Sequence, residues 1–448
     1  MSSRQRVTLE SVCSLIADCP HSTPAWTETG FLVIRNQNIK NGKLDLSERS
    51  YTDHEHYLIR VRRAKPQFGD LILTREAPMG EVCMVPEGLE CCVGQRQVLL
   101  RPDPAKIVPR FLLYAIQSPE VQHEISWSEG TGSTVSNIRI PVLQSIKIPL
   151  IPLKEQTEIA TLLGALDDRI TLLRETNATL EAIAQALFKS WFVDFDPVHA
   201  KQQGRAPEGM DEATAALFPD SFEESELGLV PRGWRARIMD EVSVVGIGKT
   251  PPRKEPQWFS ESTNDVRWVS IRDMGISGAF ISQTSEYLTA ESIERFNVRQ
   301  VPNNTALLSF KMTIGRVALT DGEMTTNEAI AHFKLDNQSP LTSEFIYLHL
   351  KQFDYSSLSS TSSIADAVNS KTVKAIPILV PDAAILLAFQ KVAGSVFGRI
   401  KLIQQQAQTL TTLRDTLLPR LISGQLRLPE AEAQLEEAAA VIPAQAGI

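Results

Sequence analysis

The sequence predicts a mixed α/β (α+β) protein, made of two tandem-repeat globular domains joined by two long antiparallel coiled-coil helices and related by a pseudo-twofold axis. Three observations predict it. The 448-residue chain repeats itself after about 230 residues, each copy opens with strand-like alternation, and each closes in strict heptads. Length alone calls for two to four domains, each able to bury its own core.

The elements repeat in order. FLVIRNQNIKNGKL (31–44) matches VRWVSIRDMGISGAF (266–280), with Arg35 opposite Arg272. GDLILTREAPMGEVCMV (69–85) matches NTALLSFKMTIGRVALT (304–320), a β-rich run in which Gly80 and Gly315 mark a turn between strands. RFLLYAI (110–116) matches EFIYLHL (344–350) as a short helix with one apolar face. IKIPLIPL (146–153) matches KAIPILVPD (374–382), a strand whose second proline, Pro152 or Pro381, sits where a helix can begin.

After those prolines the period changes from two to seven. Ile159, Leu163, Leu166, Ile170, Leu173, Asn177, Leu180, Ala184, Leu187 and Trp191 fall on alternating steps of four and three. Phe389, Ala393, Val396, Ile400, Ile403, Ala407, Leu410, Arg414, Leu417 and Leu421 repeat those steps 230 residues later. Such a seam is the pattern of a two-helix coiled coil, and each rod of about 40 residues would measure roughly 60 Å. Asn177 and Arg414 are polar where the seam wants apolar side chains, which either fixes register or marks exposure at a loose layer. Pro419 lacks a donor, so the second helix is expected to kink or stop near Leu418. The organisation expected is a first domain at 1–152, a helical spacer at 153–195 and an acidic Pro/Gly-rich surface linker with one short helix at 196–235. A second domain at 236–380, a second spacer at 381–425 and a frayed or disordered tail at 426–448 follow.

Composition bounds the chemistry. A hydrophobic content of 43% and a charged content of 22% are ordinary for globular proteins. The net charge of −8 is unevenly placed: Lys and Arg number 4 against 7 acids over 153–195, and 4 against 8 over 196–235. The two large segments are therefore near neutral and can still carry a basic face. No run of about 20 apolar residues and no signal-peptide core is evident, which leads to an expected cytoplasmic location. Cys13, Cys19, Cys83, Cys91 and Cys92 have no CxxC or His-paired spacing and read as small buried thiols in a reducing compartment. GIGKT (246–250) lacks the earlier glycine of a phosphate loop, with Ser243 in its place, and Pro251 and Pro252 block the helix such a loop must launch. Among the seven histidines only His54 and His56 approach a metal spacing, and weakly. Asp194 and Asp196 beside Pro197 read as a helix end rather than a catalytic carboxylate pair. The chain thus reads as a recogniser without a catalytic centre or metal.

GSTVSNI followed by IPLIPLKEQTEIA (132–160), ALFKSWFVDFDPV (186–198), SELGLVPRGW (225–234), GIGKTPPRKEPQWF with VRWVSIRDMG (246–275), and LLPRLISGQL (417–426), in this order and duplicated, resemble the specificity (S) subunit of Type I restriction-modification systems. The likeness covers nearly the whole chain; one departure is DAAILLAFQ, which opens the second helix where the first has Glu155 and Gln156. The resemblance implies two target-recognition domains, each reading one half of a split double-stranded DNA site, spaced by the two helical regions. It implies docking of methyltransferase (M) subunits, two of them, and of restriction (R) endonuclease subunits, in a bacterial or archaeal cytoplasm. S-adenosylmethionine for adenine N6 methylation, ATP and Mg would then reside on the partner subunits, and this chain would bind no cofactor. Two other readings stay open: a coiled-coil scaffold that assembles proteins without touching DNA, and an orphan subunit serving a methyltransferase only.

Base edges are read by Arg, Lys, Asn and Gln, while Ser, Thr and backbone amides more often take phosphates. In or beside the repeated strand-turn motifs of the first domain lie Arg35, Asn36, Gln37, Lys40, Arg75, Arg96, Gln97, Ser133 and Thr134; Lys249, Thr250, Arg253, Lys254, Arg272, Lys311, Arg316 and Asn327 are the second-domain candidates. The basic run Arg60, Arg62, Arg63 and Lys65 is expected to grip phosphate. Phe188, Trp191, Phe192 and Phe195 place aromatic surface at and beyond the seam. That surface needs either the methyltransferase helices the resemblance offers or the chain's own domains.

Overall fold

The computed structural model describes residues 4–127, 137–358 and 368–441. Two compact units divide it: Met1–Thr171 with Ala407–Ile448, and Leu172–Gln406. In unit 1 the strands Cys13–Asp18, Gln97–Pro102, Leu71–Thr74 and Val82–Met84 form an antiparallel sheet in that order. A second sheet runs Cys91–Val93, Phe31–Ile34, Tyr51–Thr52 and Trp26–Thr27, with its first pair parallel. Unit 2 carries the same plan. Its larger sheet is Val244–Ile247, Ile330–Lys334, Ala306–Ser309, Val317–Thr320 and Phe280–Ile281; its smaller one is Phe259–Ser260, Glu286–Leu288, Val266–Val269 and Thr325–Thr326.

Equivalent hydrogen bonds make the repeat atomic. Thr74 Oγ1 accepts from the Glu81 amide at 3.0 Å and Gly80 N donates to the Thr74 carbonyl at 2.9 Å. In unit 2 Ser309 Oγ accepts from the Arg316 amide at 3.0 Å and Gly315 N donates to the Ser309 carbonyl at 3.0 Å. The turn needs a left-handed residue at its end, and Gly80 (φ 92) and Gly315 (φ 89) supply it. These pairs are 235 residues apart, which corrects one expected match. In both units the residue before a short helix donates its amide to the side chain at the third helical position, Arg35 to Asn38 before Asn36–Asn38 and Ser270 to Asp273 before Ile271–Ile276, so Arg35 stands opposite Ser270 and Arg272 opposite Gln37.

The helices run unbroken over Leu153–Phe192 and Ala383–Ser423. In unit 1 Ile159, Leu163 and Leu166 share a core with Leu71, Leu73, Phe111, Leu417 and Leu421. In unit 2 Ala184 and Phe188 share one with Phe389, Ala393, Ile400, Leu308 and Phe333. Both polar seam residues have partners: Arg414 Nη1 meets Asp167 Oδ1 at 2.6 Å, and Asn177 Nδ2 donates to the Ile400 carbonyl at 3.1 Å. Pro419 does not stop the second helix, because Leu417, Leu418, Leu421 and Ile422 on either side are buried and hold the turn in place. By length and composition that helix alone among the described residues is long and apolar enough to cross a membrane. Phe389, Ala393, Phe397 and Ile400 of that helix are buried in unit 2.

Three further expectations change. Residues 196–235 are not a bare linker: they fold into the helices Asp196–Gln202 and Glu212–Leu217 and the hairpin Phe222–Ser225 with Gly228–Pro231. Val198, Phe218, Val230 and Trp234 anchor them by burial. The tail forms the helix Leu428–Val441, with Ala431 buried and Leu428 and Leu435 packed on the unit 1 core, a three-and-four spacing that makes one apolar face. Phe188, Trp191 and Phe192 are buried within unit 2, and Phe195 is half-buried against Phe222 and Trp234, so the four do not offer an open docking surface. Burial pushes the Cys13, Cys83 and Cys91 thiols up to about 12, and all five cysteines are free.

Candidate nucleic-acid interface

In unit 1 the strand Phe31–Ile34 ends in a capped turn that throws polar side chains outward. The Arg35 amide donates to Asn38 Oδ1 at 2.9 Å, while Asn38 Nδ2 donates to the carbonyls of Asp45 and Glu48 at 2.8 and 2.7 Å. Buried Asn38 thereby fixes the backbone from which Arg35, Asn36 and Gln37 project. Those three, with Lys40 and Arg96, line one open cleft of about 610 Å³ whose other walls include Trp26, Ala77, Pro78 and Gln95. Arg35 lies over the Trp26 ring at 5.1 Å and donates to Ser50 Oγ at 3.3 Å. Gln37 is held by Glu48 at 2.9 Å and Arg96 by Glu76 at 3.3 Å. Asn36 Nδ2 donates to the Glu76 carbonyl at 2.5 Å, and its Oδ1 is a buried acceptor with no partner. A cleft with five side chains of the right types can grip phosphates and reach base edges; Trp26, Gln95 and the turn at Ala77 were missed because nothing local in the sequence marks them.

Other unit 1 candidates are structural. Arg75, 7% exposed, pairs with Asp18 at 2.7 Å and donates to the Ile138 carbonyl at 3.0 Å. Arg60, 4% exposed, donates to the Val93 and Ser22 carbonyls. Gln97 is fully buried and accepts from the Gly94 amide at 3.0 Å. These three corrections share one cause: each side chain is itself buried and spends its polar atoms on partners within the fold. The basic run consequently divides, leaving Arg62 and Arg63 exposed while Lys65 pairs with Glu90 at 2.7 Å. Ser133 and Thr134 lie outside the described residues. Arg75→Met is expected to cost about 2 kcal/mol of stability by stranding Asp18 and the Ile138 carbonyl, with DNA affinity unchanged once folded. Guanidinium unfolding alongside a binding titration checks both halves.

In unit 2 the candidates are more dispersed. Lys249 donates to the Phe296 carbonyl at 2.5 Å and Thr250 to Glu328. Arg253 stacks over Phe259 and Trp268 at 4.2 and 4.5 Å and forks onto Glu286 at 2.6 and 3.0 Å. Arg316, half-buried, donates to the Ile271 carbonyl at 2.6 Å, so it braces the helix that carries Arg272. Asn327 Oδ1 accepts from the Ala329 amide at 3.0 Å. Lys254, Arg272 and Lys311 are exposed. An opening of about 480 Å³ lined by Arg267, Gln283, Tyr287 and Gln300 gathers none of the predicted residues, and Arg267 is occupied by the Ser282 and Asp321 carbonyls at 2.8 Å each. Among the described residues no group of three His, Cys, Asp or Glu side chains is placed to hold a metal.

Comparison with known proteins follows the repeat. The family profile described as "Type I restriction modification DNA specificity domain" matches residues 5–182 and again 231–411. The Type I restriction enzyme HindI specificity subunit of Haemophilus influenzae is 28% identical over 80% of this chain and 86% of its own length. The MjaIX specificity subunit of Methanocaldococcus jannaschii is 24% identical over 81% of this chain and 78% of its own. Among solved structures, the Type I restriction-modification S subunit from M. genitalium covers 93% of this chain and 96% of its own, with 17% identity and a TM-score of 0.52, a likeness of fold.

Proposed function

The chain belongs to the Type I restriction-modification DNA specificity family, and from that premise we propose that it is the recognition subunit of such a complex, reading a bipartite DNA site with one half-site per repeat. The carrying observation is the cleft where Arg35, Asn36, Gln37, Lys40 and Arg96 converge on a turn that recurs in the second repeat. Fork-shaped donors beside exposed cations suit base edges flanked by phosphates. Residues 1–152 and 236–380 are the two target-recognition domains in this reading, and 153–195 and 381–425 the spacers.

The spacers pair as an antiparallel coiled coil under a pseudo-twofold axis in this proposal. The matched heptads, the Asp167–Arg414 contact and the Asn177–Ile400 contact support it. Each turn of four residues added to such a ruler shifts its reach by about 6 Å, or roughly two base pairs. Methyltransferase subunits, two per chain, and endonuclease subunits dock on this chain, which performs no catalysis. S-adenosylmethionine, ATP and Mg are held by those partners in a bacterial or archaeal cytoplasm. With the aromatic helix end buried, exposed Leu172, Ile183, Leu387 and Leu402 are among the apolar positions left for such docking.

The test is a transplant of residues 236–380 from a relative of different specificity into this chain, assembled with its methyltransferase. Sequencing the modified adenines is expected to show one half-site replaced and the other retained. A change in both half-sites defeats the one-domain, one-half-site reading. DNA affinity that ignores salt defeats DNA recognition itself, since phosphate contacts release counterions.

A further inference from the structure

The same two elements recur in each unit. In unit 1 the helix Asn36–Asn38 and the turn at Ala77 and Pro78 open onto one cleft. The 235-residue equivalence pairs Gln37 with Arg272, Ala77 with Met312 and Asn41 with Ile276. In unit 2 the two elements are clamped together, because Arg316 leaves the turn and donates to the Ile271 carbonyl at 2.6 Å. The turn is itself stapled, with Ser309 Oγ donating to the Thr313 carbonyl at 2.6 Å.

At the tip of that turn Met312 adopts φ 59, a left-handed conformation that disfavours a side chain; Ala77 shares it at φ 41. Met312 is nevertheless 87% exposed and Ile276 79% exposed. Two large apolar side chains thus stand in water on braced elements, each beside an exposed cation, Lys311 or Arg272. Neither contributes burial to the fold, and backbone strain at a solvent-exposed tip points to a contact made elsewhere. The neighbouring cations favour a polyanionic occupant.

We propose that Met312 is a specificity-determining contact that reads the 5-methyl group of a thymine in the major groove of the half-site engaged by unit 2. Thymine is the base that offers an apolar group at that groove edge, and Arg272 and Lys311 are placed to take the adjacent acceptors or phosphates. The inference deepens the recognition reading given above and rests on it.

The test uses the full chain assembled with its methyltransferase subunits and duplexes bearing its site. Each thymine of the unit 2 half-site is replaced in turn by uracil, which removes the methyl group and keeps the pairing. One substitution is expected to weaken wild-type binding about fourfold, the value of one buried methyl-sized group. Met312→Ala is expected to bind the thymine duplex about fourfold less tightly, to be indifferent to uracil at that position, and to melt at the wild-type temperature. Wild-type indifference to uracil everywhere, a half-site without thymine, or uracil sensitivity that survives in Met312→Ala overturns the proposal. Enhanced fluorescence of 2-aminopurine beside the contact, without uracil sensitivity, overturns it in favour of a wedge between base steps. Failure of the wild-type complex to prefer any sequence removes the recognition reading as well, and so is distinguishable.

Discussion

Phe192→Ala is expected to lower stability by about 4 kcal/mol, the cost of emptying an aromatic-sized volume from a core that cannot close over it. The ring sits at 4.9 Å from both Phe345 and Phe389, at 5.7 Å from Trp234 and at 5.2 Å from Phe188. The pairs with Phe345 and Phe389 are edge-to-face, the arrangement in which ring quadrupoles attract and which adds to simple burial. Phe192 therefore joins the end of the first long helix, the start of the second, the helix Ser343–Gln352 and the segment ending at Trp234. Phe192→Leu keeps most of the volume and is expected to lose about 1.5 kcal/mol. Tryptophan fluorescence during guanidinium unfolding reads both, since Trp191 and Trp234 lie within 6.0 Å of the ring. A variant that kept its stability yet lost its methyltransferase partner would instead return this aromatic end to the role of a docking surface.

The parts of the fold that were legible from sequence are those written in residue type at a fixed period. The heptad residues needed only spacing, and Ile159, Leu163, Leu166, Ile170 and Leu173 are buried where Leu172 and Ile183, off the stripe, are half exposed. Gly80 and Gly315 were legible because a left-handed turn position selects glycine. The segment 196–235 misled because Pro and Gly density describes turns between elements and says nothing of sparse anchors such as Phe218 and Trp234. Pro419 misled because tertiary burial on both sides outweighs one missing backbone donor.

The site was legible in half. Arg35, Asn36, Gln37, Lys40 and Arg96 meet in one cleft, whereas Arg60, Arg75 and Gln97, of the same residue types and close by, serve the interior. What separates them is the distant partner: Asp18 lies 57 residues from Arg75 and Ser22 lies 38 from Arg60. No local pattern encodes such pairing. The mismatch of Arg35 with Arg272 has a related origin, since residue type suggested one register and the cap geometry sets another.

Mild acid is expected to loosen unit 2 through two histidines. His332 lies in the strand Ile330–Lys334, 1% exposed, with its ring over Gly246 of the neighbouring strand, where any Cβ would collide with it. Burial, together with the positive charges of Lys334 and Arg299, holds its pKa down from 6.5 to about 4. His349 is likewise lowered to about 4 by burial, against a hydrogen bond to the Pro377 backbone. The sign follows from proton binding: above pH 6.5 both states are neutral and nothing changes. Between pH 6.5 and 4 the unfolded chain takes protons that the folded one refuses, so stability falls as pH falls. His332 alone is expected to cost about 2 kcal/mol at pH 5 and about 3 at pH 4, and His349, lowered to the same value, adds a comparable amount. The His332→Gln/His349→Gln variant starts lower at pH 7, having lost packing, but is expected to show a flatter profile between pH 6.5 and 4. Unfolding midpoints at pH 7, 5 and 4 for both proteins decide the matter, and parallel profiles would assign the acid sensitivity to carboxylates instead.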